Sequence, residues 1–138
     1  MRVTALSVVA VVTAAVGVAQ VTSRFNDTIA AMSAALADNN AAAFLEFVDR
    51  KMPGYERLKA NVEALMDQAE VHSGVDQIVE DGNEVTVEWE LRIAPRGDPS
   101  RTEVRRETLR LKFERQEKRT KLVALDAIAF FEPPRLGG

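Results

Sequence analysis

Val85-Thr86-Val87-Glu88-Trp89-Glu90-Leu91-Arg92-Ile93 alternates without a break between apolar and polar side chains. A period of two sends successive side chains to opposite faces of an extended strand. Val85, Val87, Trp89, Leu91 and Ile93 therefore share one apolar face, and Thr86, Glu88, Glu90 and Arg92 share the other. A strand of this kind is half buried, which is the habit of an antiparallel sheet covered on one side.

The same period extends outward in both directions. Upstream, Glu70 to Val79 alternates loosely through Val71, Ser73, Val75, Gln77 and Val79, and Glu80-Asp81-Gly82-Asn83 is a hairpin turn sequence. Downstream, Ala94 to Arg101 contains Pro95, Gly97 and Pro99 and reads as a loop. Leu109, Leu111 and Phe113 mark a third strand, with Arg106, Thr108, Arg110 and Lys112 on its other face. Glu117 to Thr120 makes the next turn. Leu122 to Phe131, apolar on both faces, is the last strand, and Pro133-Pro134 ends it.

Register follows from faces and charges. A slip of one residue would turn every side chain over, so the apolar faces of the second and third strands must coincide. Pairing Leu91 with Leu109 and Trp89 with Leu111 satisfies this. It also sets Glu90 opposite Arg110 and Glu88 opposite Lys112, both favourable cross-strand pairs.

Before the strands the period is helical. Phe25, Ile29, Met32 and Leu36 recur at three- and four-residue steps within a helix over Thr22–Asp38, capped by Thr22 or Ser23. Asp38-Asn39-Asn40 stops it, and Asn40 caps a short helix from Ala41 to about Arg50. Met52-Pro53-Gly54 separates this from a third helix, Tyr55 to Gln68, with Leu58, Val62, Leu65 and Met66 on one face. The order predicts an α+β domain over 20–138, in which three N-terminal helices pack on the concave side of a curved four-stranded antiparallel sheet. The last strand, apolar on both faces, is expected inside the sheet or in a homodimer contact through the sheet.

The 138 residues are 46% hydrophobic and 28% charged, which describes a globular chain. Residues 1–19 form an apolar leader with Arg2 as its one charge and Gly17-Val18-Ala19 at its end, as in a secretory signal peptide. The chain is accordingly expected in the periplasm or outside the cell. An uncleaved leader would instead be an N-terminal membrane anchor, the one route to a membrane that the sequence offers. The absence of cysteine excludes disulfides and thiolate metal sites, and a single histidine excludes a multi-histidine metal centre within one chain. No phosphate-cradling glycine loop or serine nucleophile elbow is present, and no cofactor is expected. Residues 20–91 carry 5 basic and 14 acidic side chains, net −9, whereas 92–138 carry 12 and 7, net +5. The basic half lacks interleaved exposed aromatics, so no nucleic-acid partner is expected. Attraction between the two halves accounts for the asymmetry.

Three stretches sharpen the fold reading. Ala34-Ala35-Leu36-Ala37-Asp38-Asn39-Asn40 leads into Ala43-Phe44-Leu45-Glu46-Phe47, Met52-Pro53-Gly54-Tyr55 opens the third helix, and Leu125-Asp126 with Phe130-Phe131-Glu132-Pro133-Pro134 closes the chain. Together these resemble the nuclear transport factor 2-like superfamily of cone-shaped α+β proteins, in particular its secreted bacterial members of unassigned function. The resemblance covers about Thr22 to Pro134. It implies a cone with a pocket. The superfamily includes ketosteroid isomerase, scytalone dehydratase and SnoaL-type polyketide cyclases, whose acid–base sets do not map onto this chain residue by residue. The likeness thus implies a pocket without a chemistry.

Asp126 interrupts an apolar strand. Facing into the cone, it would have the desolvated environment of a general base. Facing out, it would be a paired surface carboxylate. Tyr55 opens a helix after Pro53-Gly54 and either donates into the cone mouth or packs beneath the loop. His72 is the single histidine, a proton carrier if a carboxylate and a cavity adjoin it, and otherwise an exposed side chain. Trp89, Leu91 and Leu111, with Glu107 sharing their inward parity, would line an apolar pocket or fill a core. The expectation is a binding or interaction module with an apolar cone pocket for a small apolar molecule. The alternatives are an isomerase, dehydratase or cyclase using Asp126 with Tyr55 or His72, and a structural homodimer.

Overall fold

The computed structural model describes residues 25–135. The leader and the expected caps Thr22 and Ser23 lie outside the described residues. Helices α1 (Asn26–Ala37), α2 (Ala41–Glu46) and α3 (Tyr55–Gln68) precede strands β1 (Ala69–Asp81), β2 (Glu84–Pro95), β3 (Glu103–Gln116) and β4 (Arg119–Asp126). Short 3-10 turns occupy Pro99–Arg101 and Ile128–Phe131. The strands form one antiparallel sheet in the order β1-β2-β3-β4, and the three helices pack on it in the α+β arrangement expected.

Each element has a local cause. The α1 stripe of Ile29, Met32 and Leu36, with Phe25 just before it, is buried against the sheet. Asn40 Oδ1 accepts the Ala43 N–H at 3.0 Å, capping α2 as expected. Gly54 precedes α3 with φ of +84°, a left-handed conformation that favours glycine, and the end of the Ile128 side chain lies against it. The core gathers Trp89, Phe44, Phe113, Phe130 and Phe131, all fully buried. Phe131 sits at its centre, with its ring centroid 5.5 Å from Trp89 edge-on, 5.4 Å from Phe44 and 5.1 Å from Phe130.

Four expectations are corrected. First, the β2–β3 register lies four residues from the one expected. Leu91 pairs with Arg105, Trp89 with Glu107, Val87 with Leu109 and Val85 with Leu111. Four is an even slip, so the apolar faces still coincide, and Glu88 and Glu90 find a shared partner in Arg106 instead of Lys112 and Arg110. Face and charge are satisfied in both registers. The observed one also brings Arg105 to the carbonyls of the C-terminal segment.

Second, the last strand ends at Asp126. Ala127 onward leaves the sheet, and the 3-10 turn carries Phe130 and Phe131 into the core. The two-faced apolar run is thus a strand followed by a core plug. β4 is an edge strand of the sheet, not an interior one. Third, α2 stops at Glu46 because Phe47–Asp49 turns to bridge β4. The Leu122 N–H donates to the Phe47 carbonyl at 2.8 Å, and the Asp49 N–H to the Leu122 carbonyl at 2.9 Å. Fourth, a bulge between Asp76 and Val79 reverses the β1 alternation, so Val79 faces outward and is 63% exposed.

Candidate functional site

Trp89 sits in the middle of β2 with its ring in the core, so its indole N–H needs an acceptor. Ser73, on the adjacent β1, supplies it: Trp89 Nε1 lies 2.8 Å from Ser73 Oγ. Ser73 Oγ is in turn 2.7 Å from Ser33 Oγ on α1. Two hydroxyl groups carry two protons, and one proton lies between them. Whichever serine donates, one hydroxyl proton is left without an acceptor among the described residues. Ser33 is itself buried, at 9% exposure.

Both serines open onto a cleft of about 370 Å3 between α1 and β1. Ile29, Ala30, Ala34 and Ala37 form its helix wall, and Gly74 and Val75 continue its strand wall. Because β1 is an edge strand, nothing in the sheet of the described residues closes the cleft on its outer side. The site is therefore mostly apolar, with a hydroxyl pair in its wall that is polarised from behind by the indole.

The structure does not assemble the expected acid–base set. Asp126 is exposed at the end of β4, opposite Arg110 on the outward face of the sheet. His72 is exposed on β1, on the other edge of the sheet, with β2 and β3 between it and β4. Tyr55 is half buried at the start of α3 and lines a groove with Asp49, Lys59 and Arg119. Trp89, Leu91 and Leu111 are fully buried members of the core. Glu107 shares their parity yet is exposed, because β4 reaches β3 only from Arg110 onward and leaves this part of β3 unflanked. Phe130 and Phe131 occupy the space beside Trp89 that an apolar cone pocket would need.

Sequence reasoning passed over Ser33, Ser73, Gly74 and Arg105. Two of them carried a signal. Ser73 has the inward parity of Val71 and Val75, and a polar group on a core face needs a partner. Arg105 has the inward parity of Leu109 and Leu111. It is 3% exposed and donates to the carbonyls of Phe130, Glu132 and Pro133, at 2.8, 2.6 and 2.7 Å, and to the Glu103 carboxylate. Burial raises the Glu103 pKa, but the bonds from the Arg105 side chain and the Arg135 N–H, with the charges of both arginines, outweigh it and hold that carboxyl below its ordinary value. Among the described residues no group of three or more His, Asp or Glu side chains is placed to hold a metal, and no helix is long and apolar enough to cross a membrane.

No protein-family model and no curated protein matches the sequence. Solved structures do. Rv3472 of Mycobacterium tuberculosis, a protein of unknown function, superposes with a TM-score of 0.57 at 7% identity, over 74% of this chain and 67% of that one. Bd1075 of Bdellovibrio bacteriovorus gives 0.56 at 13% identity, over 74% of this chain and 39% of that one, so this chain spans well under half of Bd1075. A Catenulispora acidiphila protein with a ketosteroid isomerase-like fold, solved with trimethylamine, gives 0.50 at 16% identity, over 70% and 80% of the two chains. At these identities the likeness concerns the fold. The chain has the nuclear transport factor 2-like, ketosteroid isomerase-like fold.

Proposed function

We propose that the chain is a non-catalytic binding module whose ligand is a small apolar molecule bearing a hydrogen-bond acceptor, held in the cleft between α1 and β1. One observation carries this reading. The Trp89–Ser73–Ser33 chain ends with a hydroxyl proton that no described residue accepts, in the wall of an apolar cleft. A ligand carbonyl or ether oxygen would take that proton, and Ile29, Ala34 and Val75 would bury its apolar body. The volume of about 370 Å3 suits a molecule of modest size. The dispersal of Asp126, Tyr55 and His72 supports binding over catalysis, since general acid–base work needs groups within hydrogen-bond reach of one reacting centre. Export belongs to the same proposal and rests on the composition of the leader.

Prodan, a neutral naphthyl ketone dye, tests the proposal because it is apolar, carries one carbonyl acceptor and brightens on leaving water. The expected result is saturable binding to the full chain. Ala34→Phe, which fills the cleft from an exposed helix position, should weaken it at least tenfold. Equal binding by wild type and Ala34→Phe would place the dye elsewhere and defeat the proposal.

A further inference from the structure

A second concavity, of about 630 Å3, lies between α2, the start of α3 and the β3–β4 hairpin. Its walls present Arg50, Lys51, Lys59, Arg119 and Lys121. Such a gathering of cations is unexpected in a chain of net charge −3. Among the described residues, Arg50, Lys51, Lys59, Arg119 and Lys121 form no salt bridge, a state they share with other surface cations such as Arg101 and Lys118, but only here do five such side chains line one concavity. The acidic residues of the groove balance them only in part, Asp49 facing Lys51 and Lys121. The Asp49 carboxylate is engaged by the Lys51 N–H at 2.8 Å and by Gln116 Nε2 at 2.6 Å. Glu46 and Glu63 complete the acidic side, leaving five cations to three carboxylates. Five cations set among three carboxylates leave the groove with an excess of positive charge, and an anion placed there would offset it.

The groove also has an apolar floor and a donor. Leu45 and Val48 are buried beneath it. Tyr55 and Lys59 are four residues apart on α3 and so project from the same face into the groove. Tyr55 is half buried, and its hydroxyl makes no hydrogen bond among the described residues, so it is available as a donor. A guanidinium fork, an ammonium and a phenolic O–H around one space match the three oxygens of a phosphate monoester.

We propose that this groove binds an amphiphilic phosphate, with its head among Lys59, Arg119 and the Tyr55 hydroxyl and its apolar chain over Leu45 and Val48. The ligand is either a free phosphate monoester or a phospholipid headgroup, which share this chemistry. The site is separate from the α1–β1 cleft, so the two proposals stand or fall independently.

Calorimetric titration of the full chain with octyl phosphate, inorganic phosphate and octanol tests it. Octyl phosphate is expected to bind at least tenfold tighter than either of the others. The double variant Lys59→Gln/Arg119→Gln should lose at least tenfold in that affinity while keeping its affinity for Prodan. Both side chains are exposed and unbridged, so the variant should keep the wild-type unfolding midpoint. Co-flotation with phosphatidic acid vesicles, lost in the double variant, would identify the membrane lipid as the source. Octyl phosphate binding without co-flotation would identify a free amphiphile. No binding of octyl phosphate, equal binding of inorganic phosphate, or an unchanged affinity in the double variant would each overturn the proposal.

Discussion

Arg105 Nη1 donates to the Phe130 carbonyl over 2.8 Å, joining the unflanked part of β3 to the turn that plugs the core. The same guanidinium reaches the carbonyls of Glu132 and Pro133 and the Glu103 carboxylate, so its buried charge is fully paired. This side chain ties the C-terminal segment to β3, beside the aromatic pair next to Trp89.

Arg105→Met should therefore destabilise the fold by about 3 kcal/mol, since it strips three carbonyls of their donor and leaves the half-buried Glu103 carboxylate with the Arg135 N–H alone. Arg105→Lys should recover only part of this, because an ammonium cannot reproduce the forked geometry. Urea unfolding of the two variants checks both statements. A loss within 0.5 kcal/mol of zero, about the scatter of ordinary surface substitutions, would deny the latch its role.

Glu103 gives the latch an acid limit. Its folded pKa lies below its ordinary value of 4.5. The unfolded state therefore binds the proton more readily. The stabilisation is fully present above about pH 4.5 and is lost as pH falls through the lower, folded pKa. Glu103→Gln should be less stable than wild type at pH 7, and the gap should narrow as pH drops below 4. Thermal midpoints of the two proteins between pH 3 and 7 provide the comparison. A constant gap would mean that the carboxylate contributes no charge-dependent stability.

Ser73→Ala removes the only acceptor of the Trp89 indole found among the described residues. An unpaired buried donor costs about 1–3 kcal/mol. Trp89 is the sole tryptophan, so its emission reports directly on this site. The expected outcome is a lower unfolding midpoint together with a shifted emission maximum. Ser33→Ala should leave the emission nearly unchanged, because it does not touch the indole.

Arg106 lies between Glu88 and Glu90, with contacts of 2.5 and 3.6 Å, and all three side chains are partly exposed. A double-mutant cycle on Glu88 and Arg106 should give a favourable coupling that fades in high salt. The cycle on Glu90 and Arg110 should give less. Reversal of that order would support the register four residues away.

The strict alternation of β2 and the boundaries of α3 were legible in the sequence, because each depends on local periodicity and on Gly54 or the Gly82 turn. The register was not. Val87–Leu109 and Leu91–Leu109 pairings satisfy the same faces, and the choice is made by contacts between Arg105 and residues some 25 positions away. The end of β4 was not legible either, since Phe130 and Phe131 look the same in a two-faced strand and in a plug. Asp126 stands out in the sequence as a polar interruption, but an interruption gives no direction, and in the fold it lies exposed on the outward face. Ser33 and Ser73 meet only in three dimensions, across 40 residues of chain. Small hydroxyl residues on α1 and β1 carry no sequence signal for such a meeting beyond the parity of Ser73.

The cleft is tested most directly by backbone amide chemical-shift mapping of the full chain during titration with Prodan. The changes are expected to concentrate along Asn26–Ala37 of α1 and at Ser73, Gly74 and Val75 of β1, with little at Leu111 or Asp126. Changes centred on the Tyr55 groove or on Asp126, or none at Ser33 and Ser73 under saturating dye, would contradict this expectation.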